Sequence, residues 1–250
     1  FVVGDDGRIA WIGDDQGATS HRDGVDTVLD LDGGLVLPAF VDAVLGRLAE
    51  VPALTLLLVG DGADLPAVRR EVEARGLADR VRLPGRVPHH AIPEWIACMD
   101  YAFLPDSNEY GSPMKLFELM AMGVAVVAPD YDPVAEVIED GDSGWLFPRK
   151  QMDACVERVL AIAGDASERE RVGAAARAYV ERAVDLSSMW AERCYKAHTR
   201  DDQALFGIVQ GGMHLDLRLR SLRHLEECGD FPGYGIGGYS VGEDHETMFE

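Results

Sequence analysis

The chain has 250 residues, of which 47% are hydrophobic, so it can bury the core of one large domain or two ordinary ones. Its formal net charge is −21 and its isoelectric point is near 4.6. Because phosphate backbones require clustered lysine and arginine, this charge argues against nucleic acids and anionic membranes as partners.

Cysteine usage and apolar patterning predict a cytoplasmic protein. The four cysteines are far apart and form no CxxC pair, so neither a zinc ribbon nor a disulfide framework is expected. No run of about 18 apolar residues is present, and no basic-then-apolar leader follows Phe1, so we expect no membrane span and no export. His89 and His90 have no partner at metal-ligand spacing, and we expect no metal and no cofactor.

Residues 1–43 predict a small β-unit, because short apolar runs alternate with glycine and aspartate turns. The runs are FVVG, RIAWIG and TVLDLDGGLVLPAF. Together they resemble the N-terminal strands of the amidohydrolase superfamily, in which a metal-binding HxH follows. Ala39 replaces a glycine of that pattern, and Val44 and Gly46 stand where the histidines would be. Valine and glycine cannot ligate a metal, so the hydrolase activity is not expected here.

Residues 44–198 predict a Rossmann-like parallel sheet flanked by helices, because continuous apolar strands alternate with amphipathic helices. The expected strands are LTLLLVG, RVRLPG, YAFLP, VAVVAP and GWLF. The expected helices are VLGRLAEVP, DLPAVRREVEARG, AIPEWIACM, residues 113–122 and residues 133–139, followed after Lys150 by QMDACVERVLAIAG, ASERERVGAAARAYVERA and SSMWAERCYKAH. Ligands of such sheets bind at the carboxyl ends of the strands.

The helix expected at 113–122 is the most informative element of the chain. Pro113 suits its first turn and Gly123 suits its end. A helix start presents free N–H groups and the positive end of a dipole, which favour a phosphate, and Lys115 adds a full charge. Glu118 could accept hydrogen bonds from sugar hydroxyls beside that phosphate. The alternative is that Lys115 and Glu118 are solvated residues of the helix surface.

The runs YGSPMKLFELMAMGVAVVAPD and PVAEVIEDGDSGWLF resemble the donor-binding signature of retaining glycosyltransferases of family 4, which have the two-domain GT-B architecture. The resemblance implies a nucleoside diphosphate sugar as donor and assigns Glu118 to the donor ribose. Tyr110 stands where the family has a first glutamate. The family's backbone contacts to the donor sugar and diphosphate fall on Gly111, Ser112, Pro113 and Met114.

Two further turns follow expected strands. Gly60 begins the sequence GDG, which lacks the third glycine of a dinucleotide fingerprint because Leu65 occupies that position, and a tight structural turn is the alternative. Arg86 and Val87 follow RVRLPG, and the family resemblance implies that this turn lies against the nucleobase. Arg86 as a plain surface charge is the alternative.

Residues 199–250 form a third segment. QALFGIVQGG and HLDLRLRSLRHLEECGDFPGYGIGGYSVGE closely resemble the tRNA-guanine transglycosylases, which are TIM barrels, and predict a βαβ fragment. In that family Gln210 and Gly238 would contact guanine at the ends of two strands. The nucleophile and the zinc site of the family are expected beyond Glu250.

Three incomplete resemblances in one chain predict a composite, with divisions near residues 43 and 198. We expect the middle segment to bind a nucleoside diphosphate sugar and to support retaining sugar transfer if an acceptor domain is present, and we assign no catalytic residue. One alternative is an inactive composite that is poorly ordered at both ends. The other is a remnant of a tRNA-guanine transglycosylase that exchanges bases in tRNA.

Overall fold

The computed structural model describes residues 2–3, 9–11, 39–62, 64–104, 114–212 and 214–237. Contacts divide the chain into residues 1–36 and residues 37–250. In the first unit, β1 (Val2–Val3) pairs antiparallel with β2 (Ile9–Trp11), where the apolar runs predict strands. The prediction of a strand as far as Phe40 was wrong, since Ala39 begins a helix.

The second unit opens with a β-α-β arrangement. Its elements are α1 (Ala39–Arg47), a 3₁₀ turn (Leu48–Glu50), β3 (Leu56–Val59), α2 (Leu65–Ala74) and β4 (Val81–Gly85). Strands β3 and β4 are parallel, and α1, α2 and both strands share one apolar cluster. Arg80 fixes the return from α1, because its guanidinium donates to the carbonyls of Leu48, Val51 and Leu54 at 2.7, 2.6 and 2.8 Å.

A three-stranded parallel sheet follows, in the order β5-β6-β7. Its elements are α3 (Ile92–Ala97), β5 (Ala102–Phe103), α4 (Met114–Ala121), β6 (Val126–Pro129), α5 (Asp132–Ala135) and β7 (Trp145–Phe147). Alternate residues of the central strand face two different apolar clusters, Val126 and Ala128 on one side and Val127 on the other. The sheet is therefore covered on both faces, as the continuous apolar strands predict.

The hydrogen bonds of the described strands form two parallel sheets here, β3-β4 and β5-β6-β7. In the doubly wound order 3-2-1-4-5-6, the first strand lies between the second and the fourth. Helix α1 is the first described element of this unit, so no described strand takes that first position. Because no described strand joins β3 to β5, the strands form two sheets where the sequence predicts one.

Two helices follow the sheet, α6 (Met152–Ile162) and α7 (Ala166–Ala197). The prediction of three helices after Lys150 was wrong, because α7 continues for 32 residues. Residues 174–197 contain neither glycine nor proline. The hydroxyls of Ser187 and Ser188 donate to the carbonyls four residues earlier, at 3.0 and 3.2 Å, so these serines remain within the helix.

The last described elements are β8 (Gly207–Val209), α8 (Leu215–Cys228) and β9 (Tyr234–Ile236). The two strands are parallel, which confirms the predicted βαβ fragment. Val209, Leu225 and Phe231 form an apolar cluster with Ala191 and Tyr195 of α7. This fragment packs against α7 through that cluster. The alternative of a composite with poorly ordered ends stays a prediction.

Candidate functional site

Helix α4 follows strand β5 and precedes β6, within one residue of the predicted bounds at each end. Its inner face is buried through Leu116, Leu119 and Met120. Met114 and Lys115 are exposed in the first turn, and Glu118 is half-buried one turn later. Lys115 and Glu118 are spaced three residues apart, so they share one side of the helix. Tyr110, Gly111, Ser112 and Pro113 lie outside the described residues.

A Schellman motif ends α4 and fixes its direction. Val124 N–H donates to Leu119 O at 3.0 Å, and Gly123 N–H donates to Met120 O at 2.9 Å. Gly123 has a φ of +72°, a conformation that glycine adopts without strain. The exit of the chain into β6 is therefore set by the local sequence at Gly123.

The two glycine turns expected near a ligand lie side by side. Gly60 N–H donates to Gly85 O at 2.9 Å, and their φ angles are +135° and +80°. Both residues stand at the carboxyl ends of their parallel strands, β3 and β4. Arg86 is exposed and Val87 is half-buried directly after them. The structure thus brings Gly60 and the Arg86 turn together at one edge of the β3-β4 sheet.

A contact that the motifs did not indicate holds the other end of α4. A Cβ built on Gly173 of α7 would lie 2.0 Å from Gly123 O, so the two backbones touch. One turn later, Arg177 Nη1 donates to Ala121 O. Its arginine–glutamate spacing to Glu181 is the only sequence signal for Arg177, and such i,i+4 pairs are common on helix surfaces.

In the tail, Gln210 directly follows β8 and Gly237 directly follows β9. Gln210 Oε1 would lie 3.2 Å from a Cβ built on Gly237, so the side chain reaches the end of the neighbouring strand. Arg218 of α8, which sequence reasoning missed, is buried and donates to Gly237 O at 2.9 Å. Gly238 lies outside the described residues.

Neither a metal site nor an activated thiol accompanies these elements in the described part of the chain. Among the residues that the structure describes, no three His, Cys, Asp or Glu side chains are placed to hold a metal ion. Burial raises the pKa of the Cys155 thiol to about 12, which makes it a poor nucleophile. Within the same described part of the chain, no helix is long and apolar enough to span a bilayer.

Solved structures resemble this chain in fold. Anabaena Alr3699/HepE in complex with UDP has a TM-score of 0.53 and 21% identity, covering 62% of this chain and 44% of that one. The C-terminal domain of the glycosyl transferase group 1 protein LpcC from Francisella tularensis has a TM-score of 0.51 and 22% identity, covering 57% and 76%. The α/β fold is therefore that of one GT-B half.

Curated relatives match part of the chain. The queuine tRNA-ribosyltransferase of Halothermothrix orenii is 57% identical over 72 residues, which are 29% of this chain and 19% of that protein. The queuine tRNA-ribosyltransferase of Pelotomaculum thermopropionicum is 44% identical over 114 residues, covering 44% and 30%. The chain thus spans less than a third of either relative.

Two family models match the chain. Queuine tRNA-ribosyltransferase matches residues 169–250, and Glycosyl transferases group 1 matches residues 36–165. The chain is therefore a composite of a GT-B domain and a transglycosylase fragment. Neither match reaches residues 1–35, so the amidohydrolase resemblance stays a prediction, as do the divisions near residues 43 and 198. Because its model covers more than half of the sequence, the chain belongs to the family Glycosyl transferases group 1.

Proposed function

We propose that the segment 44–198 is the donor-binding half of a retaining glycosyltransferase and binds a nucleoside diphosphate sugar. The observation that carries the proposal is the placement of α4. The helix starts after a parallel strand, exposes Lys115 in its first turn and keeps Glu118 half-buried on the same side. Ligands of open parallel sheets bind at this end of the strands.

In the proposed complex, the start of α4 binds the diphosphate. The N–H groups of the first helical turn, which have no acceptor within the helix, and the Lys115 ammonium would stabilise the charge that develops on the diphosphate as its bond to the sugar breaks. The backbone of Gly111, Ser112, Pro113 and Met114 would approach the sugar and diphosphate. Tyr110 replaces a glutamate of the family pattern, so we assign no carboxylate contact to the transferred sugar.

The nucleoside end of the donor would lie beside α4. Glu118 would accept hydrogen bonds from the ribose hydroxyls, because an ionised carboxylate is an acceptor only. The paired turns at Gly60 and Gly85 would bring the backbone of Arg86 and Val87 against the nucleobase. This assignment is supported by the hydrogen bond that joins the two turns.

UDP is the first nucleotide to test, because the Anabaena protein of similar fold was solved with UDP and with UDP and glucose. This chain covers 44% of that protein. We therefore expect donor binding, with sugar transfer requiring an acceptor domain.

A thermal-shift panel with UDP, GDP, their sugar conjugates and guanine tests the proposal. A ligand at about 100 times its dissociation constant adds about 2.7 kcal/mol to the stability of a folded site. We expect a shift with one nucleoside diphosphate, smaller in Glu118→Ala and unchanged in the exposed control Glu170→Ala. The absence of a shift with every nucleotide would reject the proposal.

Guanine in the panel tests a second candidate, a base site in the tail. The specific observation behind it is that Gln210 and Gly237 adjoin at the carboxyl ends of β8 and β9. A guanine-dependent shift that is lost in Gln210→Ala would favour this site.

A further inference from the structure

The carboxyl end of α4 has a carbonyl that its own helix leaves without a partner. The last carbonyls of a helix lack intrahelical donors, and the Schellman bonds use Leu119 O and Met120 O. Arg177 Nη1 of α7 donates to the next carbonyl, Ala121 O. A cation at this end of a helix also interacts favourably with its dipole.

The same guanidinium reaches the tail fragment. Arg177 Nη2 pairs with Asp216 Oδ2 in the first turn of α8, and Nε pairs with Glu181 Oε1 at 2.9 Å. The Arg177 side chain is 25% exposed, so its charge interactions are less screened than those of a fully exposed pair. One side chain therefore joins α4, α7 and α8.

An apolar contact joins the same three helices as these ion pairs. Ala121 of α4, Val184 of α7 and Leu217 of α8 form one buried cluster, with Val180 packed against it. Arg220 of α8 adds a second pair, with Asp185 of α7 at 2.5 Å. Together with Arg177, these residues define the tail joint, which attaches the βαβ fragment of β8, α8 and β9 to α7 and to the end of α4.

We propose that Arg177 is a positioning residue that couples docking of the tail to donor binding at α4. The inference rests on the proposed function, because the ligand is the diphosphate at the start of the same helix. Helix α4 has eight residues, or about 12 Å, so a displacement of its carboxyl end also displaces its first turn. The tail thereby acts on donor affinity without contacting the donor.

Thermodynamic linkage makes this coupling reciprocal. If docking of the tail raises the affinity for the donor by some factor, binding of the donor favours docking of the tail by the same factor. Docking of α8 through Asp216 should strengthen binding of UDP. Bound UDP should in turn slow hydrogen exchange of the α8 amides. A purely structural role for the joint would alter stability without this dependence on the ligand.

The test compares three variants of the full chain at a temperature where all are folded. Asp216→Asn weakens the link to α8 while leaving the bond from Arg177 to Ala121. Asp216→Glu is the conservative rescue. Arg200→Gln is the matched control, because its ion pair with Asp202 lies in the exposed connection between α7 and β8.

We expect Asp216→Asn to weaken UDP binding by about fivefold or more, which is the usual lower range of allosteric coupling. Affinity should return in Asp216→Glu and remain unchanged in Arg200→Gln. UDP should protect α8 amides from exchange in the unmodified chain and protect them less in Asp216→Asn. Equal UDP affinity and equal protection in Asp216→Asn and Arg200→Gln would overturn the inference.

Hydrogen exchange of the α4 amides, measured without UDP, distinguishes a failure of this inference from a failure of the proposed function. If UDP fails to bind the unmodified chain, the proposed function is rejected and the coupling to a donor is rejected with it. The positioning role of Arg177 is then decided by the α4 amides alone. Faster exchange of these amides in Asp216→Asn than in Arg200→Gln supports that role, and equal exchange rejects it.

Discussion

At the scale of single residues, Gly173 of α7 lies directly against the backbone of Gly123 at the end of α4. Alanine is favoured over glycine by about 1 kcal/mol within a helix. A Cβ on Gly173, however, would lie 2.0 Å from Gly123 O, and a backbone atom cannot rotate away. We expect Gly173→Ala to lower the free energy of unfolding by about 1–3 kcal/mol, as overpacking does.

Urea denaturation of Gly173→Ala measures this cost. Gly164→Ala is the control, because a Cβ there meets nothing within 4 Å, and it should leave stability nearly unchanged. Equal midpoints for the two variants would show that α7 and the end of α4 do not touch as described.

His214 gives the fold a dependence on pH in the acid range. The pKa of His214 lies below its ordinary value of 6.5, mainly because the side chain is buried and secondly because Arg177 is positively charged. The negative charge of Asp216 acts in the opposite direction. The unfolded chain therefore binds the proton more tightly than the folded one. This contribution to stability is complete above pH 6.5 and decreases as the pH falls through the folded pKa.

Melting temperatures of the unmodified chain and of His214→Gln between pH 7.5 and pH 5 test this prediction. We expect the unmodified chain to lose more of its melting temperature than the variant over this interval. Parallel pH curves would contradict the assigned direction of the His214 pKa.

The same residues show how far the sequence predicts the site. The bounds of α4 could be predicted, because Pro113 and Gly123 are local signals for the start and end of a helix. The role of Arg177 could not be predicted, because its partners Ala121 and Asp216 are 56 and 39 residues away in the sequence. Contacts of that kind depend on tertiary packing and leave no motif.

At the scale of elements, α7 is where sequence reasoning failed most clearly. The run VDL at residues 184–186 contains valine and aspartate, which have modest helix propensity, and the sequence predicts a break between two helices there. In the structure, Val184 and Ser188 are buried and the serine hydroxyls donate within the helix. Tertiary packing on both sides of this run outweighs its local propensity.

Proline substitution tests the continuity of α7. Ser187→Pro should lower the free energy of unfolding by about 3 kcal/mol or more, because proline removes a helical hydrogen bond and clashes with the preceding turn. Ala166→Pro, at the first residue of the helix, is the control and should be tolerated. Similar stabilities of the two variants would indicate that the helix is interrupted near Ser187.

The parallel strands were easier to predict than the helices after Lys150. Runs such as VAVVAP are apolar throughout, and a strand buried on both faces requires that pattern. The number of hydrogen-bonded sheets was not predictable in this way, because it depends on which strand stands beside β3 and β5.

At the scale of the molecule, the transglycosylase-like tail is part of the folded unit that contains residues 37–250. The tail covers Ala191, Tyr195 and Val184 of α7. Removal of the tail would expose these side chains. Each buried methylene contributes about 0.8 kcal/mol to the free energy of unfolding, so their exposure lowers stability. A chain that ends at His198 should therefore melt at a lower temperature and less cooperatively than the full chain.

Calorimetry of the chain shortened to His198 measures this effect, with a chain shortened only to Gly237 as the control. The control retains β8, α8 and β9 and should melt close to the full chain. Unchanged melting of the shorter form would mean that the tail adds nothing to the stability of the GT-B domain.

Titration calorimetry of the full chain with UDP tests the claim that the start of α4 is the donor site. We expect saturable binding that is at least several-fold weaker in Glu118→Gln, where a hydrogen-bonded charge is lost, and unchanged in the exposed control Glu170→Gln. Absence of UDP binding, or equal affinity in Glu118→Gln and the unmodified chain, would contradict the claim.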